Sequence, residues 1–273
     1  MTKVHQFTIG DIQCAVLLEG EAATTSADLA GRYPGVSQAK IASALGDQQP
    51  TGSINVLYFN SGGKRVLVDV GFGVSARPQM GQVEAGLAEM GLSTGDVDIV
   101  FLTHFHGDHV AGLYESDGAP SFPNAHYRAA QAEWDEWLAK WSASGDPAHK
   151  TYLEQFSSLE DRFEFLADGD ALVEGVSVVH MPGHTLGHSG LLLESGGDRL
   201  LHVVDLLHQP FQFARTEWHF IFDSDGDMAV DTRRRVLGRC ADEGLLTLFY
   251  HLKFPGLGTV KRNGDAFSWH PIA

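Results

Sequence analysis

The sequence predicts an α/β protein in which two β-sheets are covered by helices, within a single domain spanning residues 1–273. Strand-like apolar runs fall into two groups along the chain, and each group carries its own helical patterns. Sheets and helices must each bury an apolar face, so two such groups favour stacked layers. The length of 273 residues, with 43% hydrophobic residues, is ample for a large buried core.

The first group of predicted strands occupies the opening part of the chain. These strands are residues 4–9, 12–18, 54–59, 65–70 and 97–102. A helix is predicted before the last of them, because Val83, Leu87 and Met90 follow helical spacing. Residues 24–53 are mixed in composition apart from a helix candidate at 38–45. Such a segment is either a lid over a site or a surface connection.

The second half repeats the alternation of strands and helices. A short strand is predicted at residues 125–129, and the predicted strands of the second half are residues 163–166, 176–180, 190–194, 199–204 and 245–250, with an edge strand at 266–269. Its predicted helices are residues 131–142, 148–159 and 227–242. Trp134, Trp137 and Trp141 share one stripe of the first helix, which indicates a face packed on the core. The three arginines at 233–235 lie within the last helix and are most simply a solvated face.

Composition excludes several classes of function. Lys and Arg total 19 against 35 Asp and Glu, and the net charge of −16 repels phosphate backbones, so nucleic acid is not an expected partner. No apolar stretch approaches the roughly 18 residues of a membrane span. The first residues lack the apolar core of a signal peptide, which predicts a cytoplasmic protein. Cys14 and Cys240 are expected to be buried reduced thiols rather than a disulfide.

Four predicted strands each lead to candidate metal ligands. The strand at 97–102 leads to T-H-F-H-G-D-H at 103–109, and three later strands lead to single candidates. The candidates are His104, His106, Asp108, His109, His184, Asp205 and His251. Sites in α/β sheets form where loops leave the carboxyl ends of strands, so these side chains can meet. Seven candidates exceed one tetrahedral site, and two divalent metal ions are therefore predicted.

This pattern resembles the metallo-β-lactamase superfamily. T-H-F-H-G-D-H matches the H-x-H-x-D-H signature, M-P-G-H-T-L-G-H-S-G matches the second-histidine loop, and Asp205 and His251 follow in the expected order. The resemblance runs from about residue 54 to the end of the chain. The stretches W-H-F-I-F-D-S-D-G-D and Y-H-L-K-F-P-G-L-G-T-V are similar to the branch containing methyl parathion hydrolase.

The resemblance implies a four-layer αββα sandwich of two mixed sheets, with a dinuclear site in the cleft between them. It implies that His104, His106 and His184 hold the first metal. It assigns Asp108, His109 and His251 to the second, with Asp205 bridging both. Zn²⁺ is the expected ion, and Mn²⁺, Co²⁺ or Fe²⁺ are alternatives. Family analogy also suggests a homodimer, with residues 24–53 as a contact.

The chain departs from the family pattern at two places. Val204 stands where a glycine is common before the bridging carboxylate, which leaves Asp198 as a weaker alternative to Asp205. Homoserine-lactone lactonases carry a tyrosine shortly after this aspartate, whereas this chain reads L-L-H-Q-P, and this disfavours a lactonase. His180 competes with His184, but the P-G-H-T context favours His184.

Several other residues are candidates for roles near the predicted ligands. Phe72 and Trp137 are candidates for lining an apolar substrate pocket, and Lys253 is either a solvated cation or a partner for an anionic substrate group. His208 and His188 either orient ligands and contact substrate or are ordinary packing histidines. Asp69 is expected to hydrogen-bond backbone beneath the site.

The predicted activity is hydrolysis of a small ester, lactone or phosphotriester. Solvent held between two divalent ions loses a proton near neutral pH and attacks the substrate, so no serine or cysteine nucleophile is needed. Asp108 would accept the solvent proton and pass it to the leaving group. The main alternative is an iron-dependent oxidoreductase resembling persulfide dioxygenases. A non-catalytic metal-binding module and a nuclease are less favoured, the nuclease because of the −16 charge.

Overall fold

The computed structural model describes residues 3–47, 50–73 and 80–272. These residues form two seven-stranded mixed sheets, in which strands from the two halves of the chain do not mix. The first sheet contains β1 (Val4–Ile9), β2 (Ile12–Ala23), β3 (Thr51–Ser61), β4 (Lys64–Val68), β5 (Ile99–Phe101), β6 (His126–Ala129) and β7 (Phe163–Phe165), neighbouring one another in that order. The sheet is antiparallel from β1 to β4 and parallel from β4 to β7.

The second sheet is built from the rest of the chain. It contains β8 (Ala171–Val173), β9 (Val176–His180), β10 (Ser189–Ser195), β11 (Asp198–Val204), β12 (Leu246–Phe249), β13 (Leu257–Asn263) and β14 (Ala266–Pro271). Its strands are antiparallel except for the pair β11 and β12. Because these two run in parallel, the loops after them leave the same edge of the sheet. Asp205 and His251 lie in those loops.

The described residues contain seven α-helices. They are α1 (Ser26–Ala30), α2 (Gln38–Leu45), α3 (Val83–Glu89), α4 (Gly107–Val110), α5 (Gln131–Ala143), α6 (Pro147–Leu159) and α7 (Gly226–Glu243). The outer face of the first sheet packs on α3, α5 and α6, through residues such as Leu87, Trp134 and Phe156. The outer face of the second sheet packs on α7, through Leu237 and Cys240.

A third apolar cluster fills the space between the sheets. It joins Phe59 and Phe101 of the first sheet to Leu191 and Leu248 of the second. The layer order is therefore helix, sheet, sheet, helix, and the predicted αββα sandwich is confirmed. Cys14 lies in this central layer and Cys240 in the outer one, both free and buried, as predicted.

Most predicted elements are present with shifted ends. β2 and β3 are longer than predicted, because they pair with each other as far as Ala23 and Thr51. The strand expected to reach residue 70 ends at Val68, where Asp69 takes a φ of 63°. β8, β13 and α1 were not predicted. Within the described ranges, no helix is long and apolar enough to cross a membrane.

The structure shows the fold of residues 24–53 and corrects one prediction about a side chain. The segment 24–53 folds into α1 and α2, whose Leu29 and Ile41 pack in one cluster with Phe211 and Phe220. Residues 48–49 of this segment lie outside the described residues. The prediction that the arginines at 233–235 form a solvated face is wrong for Arg233, whose side chain is only 1% exposed.

Candidate metal centre

The turn after β5 places four candidate ligands within six residues. His106 precedes α4 in an extended conformation, and Asp108 and His109 lie within that helix. The buried carboxylate of Asp69 fixes the turn from below. It accepts hydrogen bonds from the Thr103 amide and hydroxyl and pairs with His109 Nδ1, each at 2.8 Å. Asp69 therefore supports the site through backbone and side chain, as expected.

The second sheet adds three candidates, each from a different loop. Asp205 follows β11 and stands at the centre of the cluster. Its Oδ2 lies 3.1 Å from His251 Nε2 and 3.2 Å from His184 Nε2. Its Oδ1 lies 3.4 Å from His109 Nε2. The same Oδ2 is 3.8 Å from His104 Nε2, so one carboxylate faces candidates from both sheets.

The seven side chains form overlapping groups with the spacing of metal ligands. In each group one donor atom per residue lies within 4.8 Å of the others. The groups are His104, His106 and His184; Asp108, His109 and His251; His104, His109 and Asp205; and His184, Asp205 and His208. The first two match the sets that the resemblance assigns to two separate metals. His208 is an addition that the prediction did not treat as a ligand.

The hydrogen bonds of the imidazoles fit metal binding. His109 Nδ1 pairs with Asp69 and His184 Nδ1 with Asp223, each at 2.8 Å. His251 Nδ1 lies 3.2 Å from the carbonyl of Ser53. With the far nitrogen bonded to an acceptor, the nitrogen facing the cluster carries the lone pair that a metal needs.

Unpaired buried atoms and burial also fit a cation here. His109 Nε2 and Asp205 Oδ1 are buried without a hydrogen-bond partner. Neutral imidazoles and carboxylates are suitable ligands for zinc and similar ions. His104 and His109 are fully buried, whereas the Asp108 side chain is 25% exposed. The cluster is thus closed below and open toward solvent on the Asp108 side.

The pKa shifts divide the histidines into two sets. Burial and the neighbouring histidines lower the pKa of His104 and His106 well below its usual value, which keeps both neutral. Burial opposes protonation of His184, but hydrogen bonds to Asp205 and Asp223 raise its pKa to about 9. The carboxylates of Asp205 and Asp69 likewise outweigh burial and raise the pKa of His109 well above normal. The charges of the cluster therefore favour added positive charge.

The groups that hold the second-sheet loops could not be recognised from the sequence. Asp223 accepts from the Phe220 amide at 2.8 Å on the oxygen that does not face His184. Arg233 Nη2 lies 3.6 Å from that oxygen, and its Nε donates to the Leu206 carbonyl at 2.8 Å. Arg233 thereby contacts the residue after Asp205 and the carboxylate behind His184.

Asn55 has a similar role beneath His251. Its Nδ2 donates to the carbonyls of Phe249 at 3.1 Å and Leu252 at 2.6 Å, on either side of that histidine. Nothing about an asparagine within a strand-like run distinguishes it in the sequence.

A cavity of about 830 Å³ opens over the cluster. Phe72 and His208 line it, together with apolar residues that include Leu29, Ile54 and Phe222. Part of the 24–53 segment therefore forms one wall of the cavity. Trp137 is not among the cavity-lining residues, so its prediction as a pocket-lining residue is corrected; its ring lies 5.4 Å from that of His106.

Four other predicted candidates lie away from the cluster or behind it. Lys253 is exposed and is not among the cavity-lining residues, so the prediction of a cleft-facing cation is corrected. His180 bonds to the Leu186 carbonyl and Asp198 lies exposed at the start of β11, which leaves His184 and Asp205 in the cluster. His188 is buried and accepts from the Asp205 amide at 3.3 Å, so it orients the loop that carries Asp205.

Comparison with known proteins agrees with the fold and the cluster. The sequence matches the family described as "Metallo-beta-lactamase superfamily" over residues 50–239. The chain belongs to this superfamily. A probable metallo-hydrolase of Mycobacterium bovis is 29% identical over 170 residues, which are 52% of this chain and 53% of that protein. The chain thus spans about half the length of the curated relatives that it matches.

Two solved structures in the superfamily align along the whole chain. AidC, described as a dizinc quorum-quenching lactonase in complex with its product, is 25% identical with a TM-score of 0.90, over 100% of this chain and 98% of AidC. AbOPH, described as a hydrolase in the β-lactamase superfamily, is 27% identical with a TM-score of 0.85, over 100% and 98%. These relatives are hydrolases and give no support to the oxidoreductase alternative. The methyl parathion hydrolase branch is not confirmed.

Proposed function

We propose that this metallo-hydrolase is a dinuclear enzyme that opens small lactones or cleaves small esters carrying an apolar group. The observation that carries the proposal is the position of Asp205, whose two oxygens face histidines from both sheets within 3.8 Å. His104, His106 and His184 would hold one ion, and Asp108, His109 and His251 the other, with Asp205 shared. Zn²⁺ is our first expectation for both ions.

The chemistry follows from the donor set and from the open side of the cluster. Two divalent ions would supply a solvent nucleophile near neutral pH and positive charge beside the oxygen that becomes negative. Asp108 is the carboxylate on the exposed side, with Oδ2 3.5 Å from His251 Nε2. From this position it can take a proton from solvent and return it to the leaving oxygen. The fully buried His104 and His109 have no path to such an exchange.

His208 is the reason why we place lactones first among the proposed substrates. The sequence argument against a lactonase rested on the missing tyrosine after Asp205. His208 stands three residues after Asp205, with its Nε2 3.2 Å from Asp205 Oδ2, and it lines the cavity. Burial lowers the pKa of His208 to about 4, so a neutral imidazole faces the substrate space. We propose that His208 contacts the carbonyl side of the substrate, where a tyrosine would otherwise stand.

The cavity wall favours an apolar substituent. Leu29, Ile54, Phe72 and Phe222 all line it. Apolar surface removed from water stabilises binding by about 25 cal/mol per Å². Phosphotriesters with apolar groups also suit this wall, and activity toward them would support the predicted branch. A homodimer and a cytoplasmic location remain predictions.

The test is a hydrolysis screen on protein loaded with Zn²⁺ or Mn²⁺. The panel contains acyl lactones of increasing chain length, aryl esters, phosphotriesters and β-lactams, with metal content measured on the same samples. We expect two ions per chain, turnover of lactones or esters, and a preference for longer acyl chains. Protein that takes up two ions but hydrolyses no substrate of the panel, while consuming oxygen, would contradict the proposal.

A further inference from the structure

Glu133 is an acidic residue in the interior that the proposed reaction does not use. It lies in the first turn of α5 and is fully buried. Its Oε1 accepts a hydrogen bond from the Phe105 amide at 2.8 Å. Its Oε2 accepts from the Thr185 hydroxyl at 2.6 Å and from the Gly187 amide at 3.0 Å. Three donors thus converge on one carboxylate.

The three donors belong to the two segments that carry the first group of candidate ligands. Phe105 lies between His104 and His106, after a strand of the first sheet. Thr185 and Gly187 directly follow His184, after a strand of the second sheet. His106 Nδ1 and His184 Nε2 are 2.9 Å apart. The Glu133 carboxylate therefore connects the two sheets at the point where their histidines meet.

Close packing makes this connection rigid. A Cβ atom on Gly187 would lie 2.4 Å from the Glu133 backbone nitrogen, so the loop approaches α5 as closely as the backbone allows. On the other side, the Phe105 ring packs on Trp134 and Trp141 of the same helix. Helix α5 thus holds both segments, and Glu133 is the polar link between them.

We propose that Glu133 is a positioning residue, which sets the spacing between His106 and His184 for the first metal ion. The proposal rests on the proposed dinuclear function. A carboxylate suits the role because it only accepts hydrogen bonds and can serve three donors. A glutamine has the same shape, but its amide group would face a donor at one of these contacts. It would leave a buried polar group unpaired, which disturbs the contacts that hold the two segments.

The test compares Glu133→Gln with Glu136→Gln by titrating Zn²⁺ and Co²⁺ into metal-free protein. Glu136 lies on the same helix and accepts from the Leu186 amide at 3.2 Å, but its side chain is 20% exposed and its contact lies outside the cluster. We expect Glu133→Gln to lower the affinity for one of the two ions about 10- to 100-fold, as changes to groups behind metal ligands do. The visible spectrum of that Co²⁺ site should change. Activity should return at high Zn²⁺, and Glu136→Gln should match wild type.

A milder variant guards against loss of folding. Thr185→Val removes one of the three donors, and it should lower the affinity for the same ion by a smaller factor. Two ions bound by Glu133→Gln and Thr185→Val with wild-type affinities and spectra, at whatever thermal stability, would overturn the positioning role alone. Wild-type protein that binds no divalent ion would overturn the proposed function and this inference together.

Discussion

The two halves of the candidate metal centre are supported in different ways. The first half provides four candidates in residues 104–109, fixed by Asp69 directly beneath them. The second half provides His184, Asp205 and His251 from three loops, each fixed by a separate group. Asp223 holds His184, His188 binds the amide of Asp205, and the Ser53 carbonyl faces His251.

This difference shows where each half is vulnerable. The first half behaves as one local unit, so a change beneath it acts on neighbouring ligands together. The second half depends on remote segments, because Arg233 in α7 and Asn55 in β3 hold loops far from them in sequence. Asp205 is the candidate that faces histidines from both halves.

The largest effect is expected for Asp205→Asn, which breaks both halves at once. The variant removes the negative charge that faces His109, His184 and His251. We expect kcat/KM to fall by more than the roughly 100-fold typical of groups behind metal ligands. Metal content should drop below two ions per chain.

The matched control is Asp198→Asn, at the start of the strand that Asp205 follows. Asp198 is exposed and accepts a hydrogen bond from the Gly10 amide at 3.3 Å, away from the cluster, so the activity and metal content of this variant should stay at wild-type levels. An Asp205→Asn variant as active as Asp198→Asn would refute the central role of Asp205.

The next effect isolates the second half. Arg233→Met removes a buried cation that lies beside Asp223 and donates hydrogen bonds to three backbone carbonyls. Breaking a buried charged pair costs about 3 kcal/mol or more of unfolding free energy. Urea denaturation should show this loss, together with weaker metal binding through His184. Arg235→Met, an exposed position on the same helix, should change stability by no more than about 0.5 kcal/mol. Equal effects of the two variants would contradict the claim that Arg233 of α7 supports the loops of the second half.

A pH experiment sharpens the comparison further. His202 of β11 is fully buried, and burial lowers its pKa to about 4, while its Nδ1 faces the Leu248 carbonyl at 3.2 Å. The unfolded chain binds this proton at about pH 6.5. Stability is therefore unaffected above that pH and falls as the pH drops from about 6.5 toward 4, because the unfolded state gains the proton first.

His202→Gln should remove this dependence, since an amide can still donate to Leu248 but does not titrate. Between about pH 8 and pH 5, wild type should lose about 2 kcal/mol more unfolding free energy than the variant. Denaturation curves at both pH values give the difference, and above pH 7 the two proteins should differ only by a constant. Parallel losses in both proteins would show that His202 does not contribute.

The same contrast explains what the sequence could predict. The first half is a contiguous motif after an apolar strand, so its chemistry and its place at a strand end can be recognised directly. His184, Asp205 and His251 were predictable because each follows a strand, and parallel β11 and β12 bring two of them to one edge. The αββα layers followed from the two groups of strands and from the family resemblance.

The supporting groups were not predictable, because their roles depend on tertiary contacts. Arg233 lies in a run of three arginines, and only the packing of α7 shows that one of them is buried. Glu133 and Asn55 look like ordinary residues of a helix and a strand. Val204 carries a φ of 51°, which accounts for the glycine common at that position, yet only the structure shows this conformation.

The smallest effect expected tests the first half at its base. Thr103→Val removes the hydroxyl that donates to Asp69 Oδ2 and lies 3.1 Å from His104 Nδ1. Loss of one buried hydrogen bond costs about 1 kcal/mol. His104 is a candidate ligand and Asp69 pairs with another, His109, so the affinity for metal should fall as well. The control is Thr247→Val, where a fully buried hydroxyl bonds the Leu245 carbonyl at 3.2 Å in the second sheet. That variant should lose similar stability in thermal unfolding of metal-free protein but keep its affinity for Zn²⁺. If Thr103→Val also keeps its affinity, Asp69 and Thr103 stabilise the fold without orienting His104 and His109, and the first half is not the single local unit described above.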